Sequence, residues 1–152
     1  MEKIENFNAP FEFLSNFYPC FINYRGISYS NSEAAYQAQK CPEQAYRFVG
    51  LSGAQAKRLG REIPMRSDWD AVKLEVMSEI VEAKFTQNEG LGKLLLLTGD
   101  MEIIEGNYWG DIFWGICTNR KYDHVGENHL GKILMEVRNK LKGERQYGNG
   151  GN

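Results

Sequence analysis

Residues 107–115 read NYWGDIFWG, a run that sets one carboxylate, Asp111, between glycines and among four aromatic rings. Trp and Tyr offer wide apolar faces with a polar edge, suited to stacking on a base or a sugar ring, and Gly110 lets the backbone come close to a bound group. In this reading Asp111 is the reactive acid and Trp109 its platform. The alternative is a tryptophan-rich core strand in which Asp111 caps a turn, and the local sequence leaves both open. A second acid, Glu33, falls in the first turn of an expected helix just after the aromatic residues Tyr24 and Tyr29. Tyr36, Gln37 and Lys40 follow on about the same face, one and two turns later. Glu33 there would edge a pocket, or else complement the helix dipole and pair with Lys40 or Gln37. The run AKRLGRE at 56–62 gathers Lys57, Arg58 and Arg61 around a helix end. Arg61 can dock a phosphate from that position or belong to a solvated basic face.

These groups need a frame. Aromatic and β-branched residues alternate with Asn, Pro and Gly over the first thirty positions, which predicts short strands, with Arg25-Gly26 as a hairpin turn. Helices follow. Asn31 or Ser32 caps one over 32–40, Pro42 opens a short second, and Ser52 caps a third that Gly60 ends. The longest starts at Ser67 or Asp68 and runs to about Gln87, with Trp69, Val72, Val76, Ile80, Ala83 and Lys84 at three- and four-residue steps, and is expected to be the central helix. Another is expected over 91–97, then strands around MEIIEGNYWGD, and a last helix from Asn128 to about Leu141. The expected fold is a helix-rich α+β domain over 1–142 with a small antiparallel sheet from the N-terminal strands and the 101–116 region, and a disordered tail over 143–152.

The chain has 152 residues, 42% of them hydrophobic and 25% charged, which fits one core and leaves the whole function to one domain. A net charge of -2 excludes a broadly basic nucleic-acid coat but leaves room for a local phosphate site. Three widely spaced cysteines and two histidines, with no Cys-x-x-Cys pair, argue against a disulfide framework and a zinc site. No apolar run is long enough for a membrane span, so a soluble, cytoplasmic protein is expected.

Taken in order, the segments FLSNFYP at 13–19, SEAAYQAQK at 32–40, AKRLGR at 56–61, RSDW at 66–69, AKFTQN at 83–88, LLLLTGD at 94–100, EGNYWGD at 105–111 and GENHLGKILMEVR at 126–138 resemble the YbiA-like, or NADAR (NAD- and ADP-ribose-associated), family. Each is weak alone, and together, in register from Phe13 to Arg138, they are strong. The chain departs from the pattern at Ala34, where many relatives carry His after the glutamate of the first helix. That departure argues against a mechanism needing an imidazole there, and points to a substrate other than that of the YbiA branch.

The resemblance implies an N-glycosidase. YbiA-like members cleave ribose–base bonds in early riboflavin-pathway intermediates, and other NADAR members remove ADP-ribose from guanine bases modified by a toxin. Both reactions break a C1'–N bond of a phosphorylated ribose through an oxocarbenium-like state. On this resemblance Glu33 and Asp111 are the two acids, one activating water and the other stabilising the cation or binding ribose hydroxyls, in an order the sequence leaves open. Lys84 and Lys40 would contact a carboxylate or the leaving base, and Arg61 the phosphate. Trp109 would stack on the ring beside Gly110, Tyr36 would line the site, and Asn16 and Asn128 would meet ribose or base edges. No metal or organic cofactor is expected. The expected partner is a small ribosyl phosphate or ADP-ribosylated guanine, free or within modified DNA. A non-catalytic module for ADP-ribose or a related nucleotide is the alternative; it would keep Trp109 and Arg61 but dispense with the acids, so the presence of both acids favours the enzyme.

Overall fold

The computed structural model describes residues 2–150, with side chains through 145. In chain order the elements are β1 (Lys3–Ile4), β2 (Ile22–Tyr24), β3 (Ile27–Tyr29), α1 (Ser32–Ala38), a 3-10 helix over Pro42–Phe48, α2 (Gly53–Gly60) and α3 (Trp69–Gln87). They continue with α4 (Glu89–Leu97), β4 (Glu102–Ile103), β5 (Gly106–Asn107), β6 (Ile116–Cys117) and α5 (His129–Gly150). The chain is α+β and helix-rich, as its sequence predicts. It forms two compact units: a central unit, Ser15–Glu89, and a terminal unit made from the chain up to Leu14 and from Gly90 on.

In the central unit β2 and β3 pair antiparallel with Tyr24 opposite Ile27, so Arg25 and Gly26 alone make the turn. Both have positive φ, 52° and 84°, the primed geometry whose twist suits a two-residue hairpin. The local start signals act as expected. Asn31 caps α1 by accepting the Ala34 N–H (2.8 Å), and Ser52 and Gln55 form a reciprocal capping box on α2. Asn31 Nδ2 also donates to the Leu51 carbonyl (2.9 Å), which ties the start of α1 to the approach to α2.

The helix expected to be longest and central, α3, is neither: α5 is longer, with 22 residues against 19, and α3 is not the middle of its unit. All seven residues of α1 are buried, and α1 packs on α2, α3, the hairpin and the 3-10 helix, whereas α3 buries one face. Ala34, Ala35 and Ala38 explain the exchange, because three small side chains let neighbouring elements approach α1 from several directions.

In the terminal unit the pairing differs from expectation. β1 pairs with β4 and β5 with β6, both in parallel rather than antiparallel. Each is two residues long, too short to carry an alternation that reports direction. α4 begins two residues before the expected start. α5 runs past Leu141 to Gly150, through positions expected to be disordered; the last two residues of that tail, 151–152, lie outside the described residues. No helix among the described residues is long and apolar enough to cross a membrane.

Candidate functional site

Six of the expected site residues fall in the central unit, and a short stretch, Ser15-Asn16, organises three of them. The Glu33 N–H donates to the Asn16 carbonyl (3.0 Å), while Lys84 Nζ, coming from α3, donates to the Ser15 carbonyl (2.9 Å). Two adjacent carbonyls therefore fix the first turn of α1 and the lysine of α3. The Asn16 amide points to the Met77 sulfur at 3.5 Å. Asn16 thus contributes its backbone to the arrangement as much as its side chain.

Lys84 is 1% exposed, and among the described residues it has no carboxylate within ion-pair distance. Its ammonium lies 5.8 Å from the centre of the Tyr18 ring and 5.1 Å from that of Phe85. Burial of the charge draws its pKa down from 10.5 to about 8, opposed in part by the Cys20 thiol. A lysine so held is a hydrogen-bond donor that can also give up its proton near neutral pH.

Glu33 is buried, and its Oε1 accepts a hydrogen bond from Gln37 Nε2 (2.8 Å). The expected pairing with Gln37 is thus present. Tyr36 is buried against Trp69, ring centres 5.0 Å apart and tilted by 54°. Lys40 is half-buried; burial lowers its pKa, Glu33 opposes that, and Arg61, Lys57 and Lys73 add to it. Those effects place a carboxylate and four cations within electrostatic reach of one another. Arg61 is exposed, in ordinary right-handed backbone at the end of α2, where a guanidinium can grip an anion from solvent. Surplus positive charge beside a buried acid suits a phosphorylated ligand.

The remaining four expected residues belong to the terminal unit. Asn107 clamps the 107–111 loop: its Oδ1 accepts the Asp111 N–H (3.0 Å) and its Nδ2 donates to the Asp111 carbonyl (2.9 Å). Asp111 Oδ1 accepts in turn from the N–H groups of Phe113 (3.2 Å) and Trp114 (2.9 Å), so this carboxylate does cap a turn. Gly110 has φ 94°, a conformation open to glycine, and the Tyr122 ring lies against it. Trp109 is 58% exposed, with Tyr108 edge-on at 5.2 Å. The core-strand alternative therefore fails for Trp109, although its turn-capping half holds for Asp111. Asn128, just before α5, uses both ends of its amide on backbone: Nδ2 on the Ile103 carbonyl and Oδ1 on the Glu105 N–H, each at 2.9 Å. These two bonds join β4 and Glu105 to the start of α5.

Sequence reasoning missed the Ser15 carbonyl and the Trp69 ring. A backbone acceptor carries no side-chain signature; Trp69 was visible only as one apolar position on α3.

A family model described as the NADAR domain matches residues 4–142. The chain is 42% identical to a riboflavin biosynthesis protein of Vibrio vulnificus over 97% of its own length, and spans 41% of the length of that larger protein. It is 36% identical to the N-glycosidase YbiA of Escherichia coli, covering 86% of this chain and 82% of that one. An N-glycosidase of Nostoc punctiforme is also 36% identical, with 88% and 87% covered. Among solved structures, the NMR structure of Escherichia coli YbiA superposes with a TM-score of 0.79 at 32% identity, covering 96% of this chain and 89% of that one.

Proposed function

The chain belongs to the NADAR domain family, and from that premise we propose that it is an N-glycosidase hydrolysing the C1'–N bond of a phosphorylated ribosyl substrate. Substrates of this class include a riboflavin-pathway ribosylaminopyrimidine phosphate and ADP-ribose joined to guanine, as nucleotide or in DNA. The observation that carries the reading is the anchoring of Glu33 and Lys84 on the consecutive carbonyls of Asn16 and Ser15, which sets a buried acid and a buried amine on one short segment.

In such a reaction the C1'–N bond breaks with its electron pair going to the base, an oxocarbenium-like centre forms at C1', and water adds there while losing a proton. Glu33 takes the water proton. Asp111, with Oδ1 already engaged by two backbone N–H groups, serves the cation or the ribose hydroxyls. Lys84 donates to the leaving base, which departs more readily when its developing negative charge is met by a donor. Arg61 with Lys40 holds the phosphate, and the exposed face of Trp109 stacks on the ring.

The test offers the protein three compounds: an oligonucleotide carrying ADP-ribosylated guanine, a ribosylaminopyrimidine phosphate, and NAD. Mass spectrometry follows release of free base and of phosphorylated ribose. One compound is cleaved, and Glu33→Gln slows that cleavage by about a hundredfold or more with unchanged binding. Binding of an ADP-ribose compound with no bond broken in any arm would replace this reading with the non-catalytic module.

A further inference from the structure

Gly60 is expected from the sequence to end α2, yet its conformation does not call for glycine. The residue is helical, and Arg61 after it is also right-handed, with φ -81° and ψ -17°, so the helix closes without a left-handed cap. At a helical position alanine is the better helix former, and the absence of a side chain needs another cause. That cause is Gln37. A Cβ on residue 60 would overlap Gln37 Oε1 and stand 2.7 Å from its amide carbon.

Gln37 is only 6% exposed, and its amide is confined on both sides. Its Nε2 donates to Glu33 Oε1 one turn back on α1 (2.8 Å), and its Oε1 lies against Gly60, buried and without a hydrogen-bond partner among the described residues. Leaving a buried carbonyl unpaired is unfavourable, so stability alone does not select a glutamine here. Its worth must lie in what the other end of the amide holds. α1 and α2 are meanwhile tied at the start of α1 through Asn31 and the Leu51 carbonyl.

We infer that Gln37 is a positioning residue for Glu33, and that residue 60 is glycine because any side chain there would push the Gln37 amide off the carboxylate. The inference rests on the proposed role of Glu33 as the acid that handles water. Gln37 sets the Glu33 rotamer and, by donating to its ionised form, helps keep it a base. Neither Gln37 nor Gly60 touches the reacting atoms.

The experiment uses Gln37→Met, Gln37→Ala, Gly60→Ala and the double variant Gly60→Ala/Gln37→Ala. Gln37→Met keeps the length of the side chain and removes the donor. Turnover should fall about tenfold with KM within about twofold, and the acid limb of the kcat/KM profile should move to higher pH. A second readout does not depend on turnover: 13C NMR titration of the Glu33 carboxyl, assigned by its loss in Glu33→Gln, should move to higher pH in Gln37→Met. Gly60→Ala should lower the melting temperature of the native chain more than that of the Gln37→Ala chain, where the overlap with the amide is gone and only the 3.3 Å approach to the residue 37 Cβ remains. An unmoved Glu33 titration in Gln37→Met overturns the inference, as does a Gly60→Ala variant that melts higher than the native protein. If the titration moves while no compound is cleaved by the native protein, the positioning stands and the glycosidase reading falls.

Discussion

Replacing Lys84 with methionine should stabilise the protein at neutral pH and stop doing so in alkali. The side chain is 1% exposed, and burial draws its pKa from 10.5 to about 8. At 1.36 kcal/mol per pH unit that gap amounts to about 3 kcal/mol held against the folded state wherever the amine is charged both folded and unfolded. The sign follows from proton binding. Between about pH 8 and 10.5 the unfolded chain holds a proton that the folded chain has released, so stability rises with pH across that window; below it the penalty is present in full. Methionine has a similar stem and no charge, but it abandons the Ser15 carbonyl that Lys84 Nζ reaches at 2.9 Å, a loss of about 1–2 kcal/mol. The net expectation at pH 7 is a Lys84→Met protein more stable by about 1–2 kcal/mol, with the advantage reversed by pH 10. Urea unfolding of both proteins at pH 7, 8, 9 and 10 reads the difference directly, since all other titrations are shared. A difference that stays flat across this range would refute the argument that a desolvated charge sits at position 84. Enzymatic turnover, if Lys84 meets the leaving base, falls at every pH even as the fold gains.

Three further outcomes follow from the site. Asp111→Asn keeps an oxygen for the Phe113 and Trp114 N–H groups, so it should lower turnover by about a hundredfold with little change in melting, whereas Asp111→Ala should also lose about 1 kcal/mol of stability. Equal stability of the two variants in urea would show that the turn does not depend on this carboxylate. Trp109, at 58% exposure, should tolerate Trp109→Ala within about 1 kcal/mol of stability while losing about 1–3 kcal/mol of substrate binding by calorimetry; a large loss of stability with intact binding would return it to a structural role. Arg61→Lys should raise KM for the phosphorylated substrate and leave a dephosphorylated analogue unaffected, because a lysine lacks the paired donors of guanidinium. Equal losses on both compounds would remove the phosphate assignment.

Local signals in the sequence were reliable wherever the structure is decided locally. The turn at Arg25-Gly26, the cap Asn31 places on α1, the helix start at Pro42 and the capping box of Ser52 each act within four residues, and each does what its type predicts. What escaped prediction is decided at a distance. The direction of β1 against β4 depends on residues almost a hundred positions away, and strands of two residues carry no period to report it. The continuation of α5 beyond Leu141 follows no apolar face, since the sequence there is polar and glycine-bearing. Gly60 was legible as a helix end but not as a neighbour of Gln37, a contact between two helices. In the site, Glu33 and Lys84 were visible by type, but the Ser15-Asn16 carbonyls that anchor them were not, and Asp111 was correctly poised between two uses of which its Oδ1 now shows one.

The pairing of β1 with β4 has a bearing on synthesis. β1 leaves the ribosome before the central unit, but its partner strand at Glu102–Ile103 appears only after the whole central unit has been made. The central unit is contiguous and can fold as soon as its last helical turn is clear of the exit tunnel, whereas the first strand must wait unpaired while it does so. Closing that long loop is then the late, non-local event that limits how fast the terminal unit is completed. A nascent chain stalled just after α3 would already hold Glu33, Lys84 and Arg61, yet would carry neither Trp109 nor Asp111.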